Sequence, residues 1–352
     1  MPIIGSNISL NRFIIILILL PWLSGGGSAA TDIGDCTTIA SPGEYVLNRS
    51  IRLPNSSLMT PCITITASDV ILDGRGYAID GAGSFLTGIS TNFTNNVTLR
   101  NIYLTNLSTG MSLFLSTNST VNNITASNNR DTGVELVSSS KNNLTYNVIT
   151  HNANGLILRN SNYNWFTGNN IDRNGNGTML VGTTSNRFMN NTARLNTYQD
   201  IQIKDSIGSS NRIEYLFIDP VVSLFGNDIS VKSASSPAPP PSGRRSLNKY
   251  VNVTALGINA SYLYFYVHYT DAEVAGINES GLRMWRYDGA SWSMWGGTNG
   301  VDVGNNFVYA NVTGSGVFAP MAAPGHELAL AALGILVAAG MRLRIHQMMS
   351  RK

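Results

Sequence analysis

Charge is what this sequence has least of. Charged side chains make up 12% of its 352 residues, against roughly 25% in an average soluble domain. Basic residues barely outnumber acidic ones, 23 to 20. Four of the basic ones, Arg342, Arg344, Arg351 and Lys352, sit at the extreme C-terminus. No basic stripe remains to follow a phosphate backbone, which excludes nucleic acid as a partner. Cysteine is almost absent, with Cys36 and Cys62 the only two. Two thiols do not complete a metal centre. Between Gly88 and Asp200, His151 and the methionines form no His-x-His pair and no Met run, the ligand patterns of soft metals, so no cofactor is expected. Helical periodicity is missing as well. No window keeps a 3.6-residue apolar repeat, and β-branched residues and Asn dominate, which excludes a helical core.

What replaces these features is a repeat. Gly88-Ile-Ser, Gly110-Met-Ser-Leu, Gly133-Val-Glu-Leu, Gly155-Leu-Ile-Leu and Gly177-Thr-Met-Leu-Val recur at steps of 22, 23, 22 and 22 residues. Gln199-Asp200-Ile-Gln-Ile follows after another 22, with the glycine lost. Each period holds short pieces in which apolar and polar residues alternate, the pattern of a strand with one buried face. Asn, Gly, Ser and Thr separate the pieces, and Gly and Asn tolerate the left-handed backbone of tight corners. A unit of this size cannot bury its apolar face alone and must stack on copies of itself. The reading is an all-β chain whose repeats form coils of a right-handed parallel β-helix, three short strands to a coil. Asn96, Asn118, Asn143, Asn164 and Asn186 fall at matching corners, where stacked amides would form a ladder. At one coil the register stays open: either Thr178 and Leu180 or Met179 and Val181 point inward.

Around the repeat the chain divides further. Residues 1–30 read as a secretion signal, with Arg12, an apolar run from Phe13 to Leu23, and Ser28-Ala29-Ala30 as a small-residue cleavage site. Export makes a Cys36–Cys62 disulfide the expected state of the two thiols. The β-helix is expected over 31–211. The period fails after Asn211, and alternating runs such as Tyr262-Leu-Tyr-Phe-Tyr-Val-His-Tyr, separated by Asp288-Gly289 and Gly296-Gly297, predict an antiparallel β-sandwich over 212–322. The Pro- and Ser-rich residues 233–246 read as a long loop within it. Leu328 to Met341 is an uncharged stretch followed at once by arginines. This predicts a C-terminal membrane anchor over 323–345 with a cytoplasmic basic tail over 346–352.

Cys36 through Gly81 followed by Asn-rich coils resembles the NosD-like right-handed β-helix proteins of archaeal cell surfaces, which share the pectin-lyase-type fold. The resemblance covers residues 33–219. Tyr269-Thr-Asp-Ala-Glu-Val, Ile277-Asn-Glu-Ser-Gly-Leu-Arg-Met-Trp and the segment through Val317-Phe-Ala-Pro320 are similar to the C-terminal β-sandwich module of methanogen surface proteins. The chain departs from that module at Gly314-Ser-Gly-Val-Phe, which bears on the packing of the last strand.

The resemblance directs the search for chemistry. Enzymes of this fold that cut acidic polysaccharides bring carboxylates and a base together from neighbouring coils. The candidates here are Asp131, Glu135, Arg159 and Asp172. Copper delivery, which the family name implies, would call on His151 with Met111, Met179 and Met189. Asn-x-Ser/Thr triplets mark candidate glycosylation sites at Asn48, Asn55, Asn92, Asn106, Asn123, Asn176, Asn252, Asn259, Asn278 and Asn311. Trp285, Trp292, Trp295 and Tyr287 would be either the sandwich core or an aromatic sugar platform. The expectation is an exported, glycosylated protein anchored in a membrane, with extracellular glycans or other surface proteins as partners. Its role would be structural, adhesive or glycan-binding rather than catalytic. The alternatives are a polysaccharide lyase or hydrolase, and a copper-delivery protein.

Overall fold

A computed structural model describes residues 29–53, 61–206, 210–257 and 261–324. The expected secretion signal (except Ala29 and Ala30), the expected anchor beyond Pro324, the basic tail, Asn55 and Asn259 lie outside the described residues. Among the described residues the structure is strand and turn throughout, apart from one short 3₁₀ turn, Glu279–Gly281. No helix there is long and apolar enough to cross a membrane.

The repeat folds as an all-β coil of the right-handed type. One sheet takes a strand from each period: Thr87–Asn92, Thr109–Phe114, Thr132–Val137, Asn154–Arg159, Asn176–Val181 and Gln199–Lys204, all parallel. The second sheet takes Thr98–Thr105, Thr120–Ser127, Asn143–Thr145, Trp165–Thr167, Arg187–Met189 and Arg212–Phe217, also parallel. Inward residues form columns through the coils. Leu113, Leu136, Leu158, Leu180 and Ile203 line one, and all are buried. Thr178 and Leu180 therefore point inward, and Met179 and Val181 outward. In the opposite column Phe166 stacks on Phe188 with ring centroids 4.3 Å apart.

The corners explain the asparagines. Residues with positive φ recur in register, for example Lys141 (φ 60°), Tyr163 (58°) and Ser185 (57°). The residue after each turns inward. Asn142, Asn164, Asn186 and Asn211 stack there, each side-chain N–H donating to the next Oδ1 at 3.0 Å. A second ladder joins Asn147, Asn169 and Asn191 at 2.9 and 3.0 Å. A third runs from Asn152 through Asn174 to Asn196 at 3.0 and 3.4 Å. The single ladder expected from sequence is correct at Asn164 and Asn186 only. Asn96 and Asn118 are the exposed left-handed corners themselves, and Asn143 is exposed at the start of a strand. Asn suits both the corner and the position after it, for different reasons, so composition does not separate them.

The repeating glycines are a packing requirement. A Cβ on Gly155 would lie 2.7 Å from the Gly177 carbonyl oxygen and 2.7 Å from Ile171 Cγ2. Asp200 takes the glycine's place in the last coil. Its strand pairs onward with Ile229–Ala234, which is antiparallel, so the tight carbonyl contact is relieved. The carboxylate then closes the third ladder, accepting from Asn196 Nδ2 at 3.0 Å and from the Ser233 amide at 2.9 Å.

From there both sheets continue without a break as antiparallel strands. Arg212–Phe217 leads to Val221–Asn227, Tyr262–His268 and Phe307–Val312. Gln199–Lys204 leads to Ile229–Ala234, Tyr250–Ala255 and Gly316–Ala322. Phe265 and Phe318 meet edge to face between the two sheets. Phe318 is fully buried, so the last strand packs normally after Gly314-Ser-Gly. The Pro-rich segment lies against the sandwich: Trp292 Nε1 donates to the Ala238 carbonyl at 3.1 Å, and Arg245–Ser246 pairs with the final strand. Twelve strand-to-strand steps along the longer sheet, at about 4.8 Å each, give a stack roughly 58 Å long.

Candidate functional site

Of the four residues considered for polysaccharide cleavage, two meet. Arg159 Nε lies 3.5 Å from Glu135 Oε1 on the outer face of the first sheet. Asp131 is exposed at the coil edge and accepts from Asn154 Nδ2 at 3.3 Å. Asp172 is buried on the other side of the coil, holding the Arg194 amide at 2.6 Å and its guanidinium at 3.5 Å. Asp73 is a turn anchor. Burial alone would raise its carboxyl, but hydrogen bonds from the Arg75 amide, Asn101 and Arg100, with the Arg100 charge, hold it below the ordinary value. Asp200 goes the other way: burial pushes it up to about 6, against hydrogen bonds from Ser233 and Asn196 and the nearby Lys232.

Copper ligands do not assemble. Among the described residues no three of His, Cys, Asp and Glu converge. His151 sits at an exposed left-handed corner with Nδ1 3.0 Å from Thr150 Oγ1. Met111 is in the core, while Met179 and Met189 belong to different sheets. Cys36 and Cys62 are joined in a disulfide. These residues do not fit a copper centre.

The other candidates distribute as follows. Asn48, Asn106 and Asn123 are exposed, whereas Asn92, Asn176, Asn252, Asn278 and Asn311 are half-buried. Asn311 Oδ1 is enclosed without a hydrogen-bond partner. The four aromatics are half-buried, with Trp295 against the main core and Trp285 and Trp292 in a separate cluster with Tyr250, Ala319 and Met321. Trp295 lies against Phe318 and donates to the Asn311 carbonyl at 2.7 Å, and Trp292 packs on Tyr287 and Tyr250.

A groove that no sequence motif announces lies where the coils give way to antiparallel strands. It encloses about 560 Å³. Its floor and walls come from the last coil strand, Arg212–Phe217, from Val221–Asn227 and Tyr262–His268, and from Phe307. The register shifts between Ile213 and Leu216 as the last coil strand meets its antiparallel neighbour. Tyr215 sits in that bulge at φ 51°, and the residue is 55% exposed. A bulge re-aims a side chain in this way. The Tyr215 amide donates to Ser223 Oγ at 2.9 Å, and that hydroxyl lies 2.8 Å from His268 Nε2. Burial, then the Lys249 charge, hold the His268 pKa below its usual value, so the ring is neutral at pH 7. It stacks under Tyr215 at 4.8 Å and meets the Phe307 edge at 5.9 Å. At the rim Glu214 accepts two N–H bonds from Arg187, at 2.9 and 3.1 Å, and Arg187 covers Trp165. The arrangement offers ring stacking in the middle and hydrogen bonding at one edge.

The family model described as periplasmic copper-binding protein (NosD) matches residues 37–212. No curated protein matches the chain. Among solved structures, the Dettilon tailspike protein (gp208) is 10% identical, with 84% of this chain and 87% of that one covered and a TM-score of 0.36. The A-module of Azotobacter vinelandii mannuronan C-5 epimerase AlgE4 is 15% identical over 53% of this chain and 73% of that one, with a TM-score of 0.33. The catalytic domain of a GH87 alpha-1,3-glucanase is 18% identical over 58% and 43%, with a TM-score of 0.33.

Proposed function

This chain belongs to the NosD family, and from that premise we propose an exported, non-catalytic surface protein that holds glycans or neighbouring proteins along a rigid rod. A periplasmic family description supports export. The observation that carries the reading is the aromatic groove at the junction, which pairs exposed rings with hydrogen-bonding side chains in the manner that sugar contacts require. Ladders of buried amides through the coils from Asn142 to Asn211 suit a spacer, because each of these coils is tied to the next by side chains as well as backbone. Attachment through residues 323–345 would set the rod on the outer face of a membrane, and sugars on Asn48, Asn106 and Asn123 would coat it. A second reading, cleavage of a polysaccharide, is favoured by the Glu135–Arg159 pair on the outer face.

Purified full-length protein on a glycan array tests the proposal. Saturable binding without product release is the expected result. Release of new reducing or unsaturated ends from a polysaccharide would replace it with the enzyme reading. No binding to glycans and no self-association would refute it.

A further inference from the structure

We propose that the junction groove is a subsite for one neutral pyranose ring with vicinal hydroxyls, laid face down on Tyr215 and gripped at its edge by Glu214 and Arg212. This rests on the glycan-contact reading above and names the sugar chemistry and the residues.

Tyr215 is set for stacking before any ligand arrives. Its backbone bond to Ser223 and its ring's contact with His268 fix both ends of the residue, so little ordering remains to be done on binding. The exposed aromatic face carries negative quadrupole density, which attracts the polarised C–H groups of a pyranose face. Tyr266 and Phe307 meet edge to face at 5.1 Å and continue the wall. With His268 neutral, that wall carries no charge. The volume of about 560 Å³ falls within the roughly 300–1,000 Å³ of small-ligand sites.

Hydrogen bonding at the rim specifies hydroxyls. Both Arg187 bonds go to Glu214 Oε2, and Oε1 has no protein donor among the described residues. Arg212 lies two residues back on the same strand, hence on the same face. It lines the groove and has no ion-pair partner among the described residues. A carboxylate accepts and a guanidinium donates. Two adjacent hydroxyls satisfy both at once, one giving its proton to Glu214 Oε1 and the other receiving from Arg212. A sugar carboxylate could take the Arg212 bond but would leave Glu214 Oε1 with no hydroxyl to accept from, so one free acceptor beside one free donor fits a pair of hydroxyls better than an acid.

Calorimetric titration of the full-length protein with cellohexaose, laminarihexaose and hexagalacturonate tests the assignment. A neutral hexasaccharide should bind, and Tyr215→Ala should weaken that binding at least tenfold while Tyr215→Phe retains it. Glu214→Gln and Arg212→Ala should each weaken it about tenfold. Tyr146→Ala, a change at an exposed corner three coils away, should leave it intact. Neutral binding that ignores Tyr215→Ala overturns the groove and leaves the glycan-contact reading standing. Binding of hexagalacturonate alone overturns the assigned sugar class. If none of the three binds although the glycan array does, this site is refuted by itself; silence in both removes the broader reading too.

Discussion

Replacing Asn169 by leucine removes the middle rung of the second ladder and tests what holds the coils together. Asn169 Oδ1 accepts from the Asn147 amide at 3.0 Å and from Asn147 Nδ2 at 2.9 Å. Its own Nδ2 donates to the Leu144 carbonyl at 2.8 Å and to Asn191 Oδ1 at 3.0 Å. Leucine is similar in size and fills the space, so the loss is one of hydrogen bonding. The buried Asn147 N–H is left without a partner, which costs about 1–3 kcal/mol, and each of the three other bonds is worth about 0.5–1.5 kcal/mol net. The sum is a destabilisation of about 2.5–7.5 kcal/mol. Because stacked repeats interact mainly with their neighbours, protection from hydrogen exchange should fall most around residues 144–147 and 166–191. Urea unfolding gives the free energy, and exchange mass spectrometry gives the location. Asn143→Ala, at an exposed position nearby, should cost less than about 0.5 kcal/mol. Equal losses at the two positions, or a loss at Asn169 under about 1 kcal/mol, would show that the amides do not carry the stack.

Three further outcomes follow from the packing and charge. Gly155→Ala should cost about 2–3 kcal/mol in the same unfolding experiment, since the new methyl meets a backbone carbonyl at 2.7 Å that cannot withdraw without opening the coil. Asp200 should impose a pH dependence. Its pKa is about 6 in the folded state against an ordinary 3.8, so the folded protein holds the proton more tightly than the unfolded chain does. That contribution is complete below pH 3.8 and is lost as pH rises to about 6, by about 3 kcal/mol. Asp200→Asn should flatten the curve between those values. Cys36→Ser should lower stability by about 3 kcal/mol, since the disulfide closes a loop with a sequence separation of 26; an unchanged urea midpoint would contradict it.

The coil was legible because its instructions are local. Alternation within each strand decides which side chains point inward, and Leu113, Leu136 and Leu158 do so wherever they fall in the chain. The recurring glycine follows from the same geometry, because a 22-residue turn stacked at strand spacing puts a carbonyl where a Cβ would be. The disulfide followed from export and from there being only two cysteines.

Other features depended on where the coil ends and what covers it. Asp200 reads in sequence as a glycine lost; only the change from a parallel to an antiparallel neighbour makes room for its carboxylate and gives it the third ladder to close. Which asparagine of a corner pair turns inward was likewise settled by the backbone, since the left-handed residue faces out and its successor faces in. The groove was invisible for a different reason. Ser223 and His268 stand 45 residues apart, and they meet only because antiparallel strands lay one beside the other. By itself the amino-acid sequence determined the repeating cross-section, since neighbouring residues alone specify it. The tertiary structure decided the junction, where distant strands converge and no local pattern records their meeting.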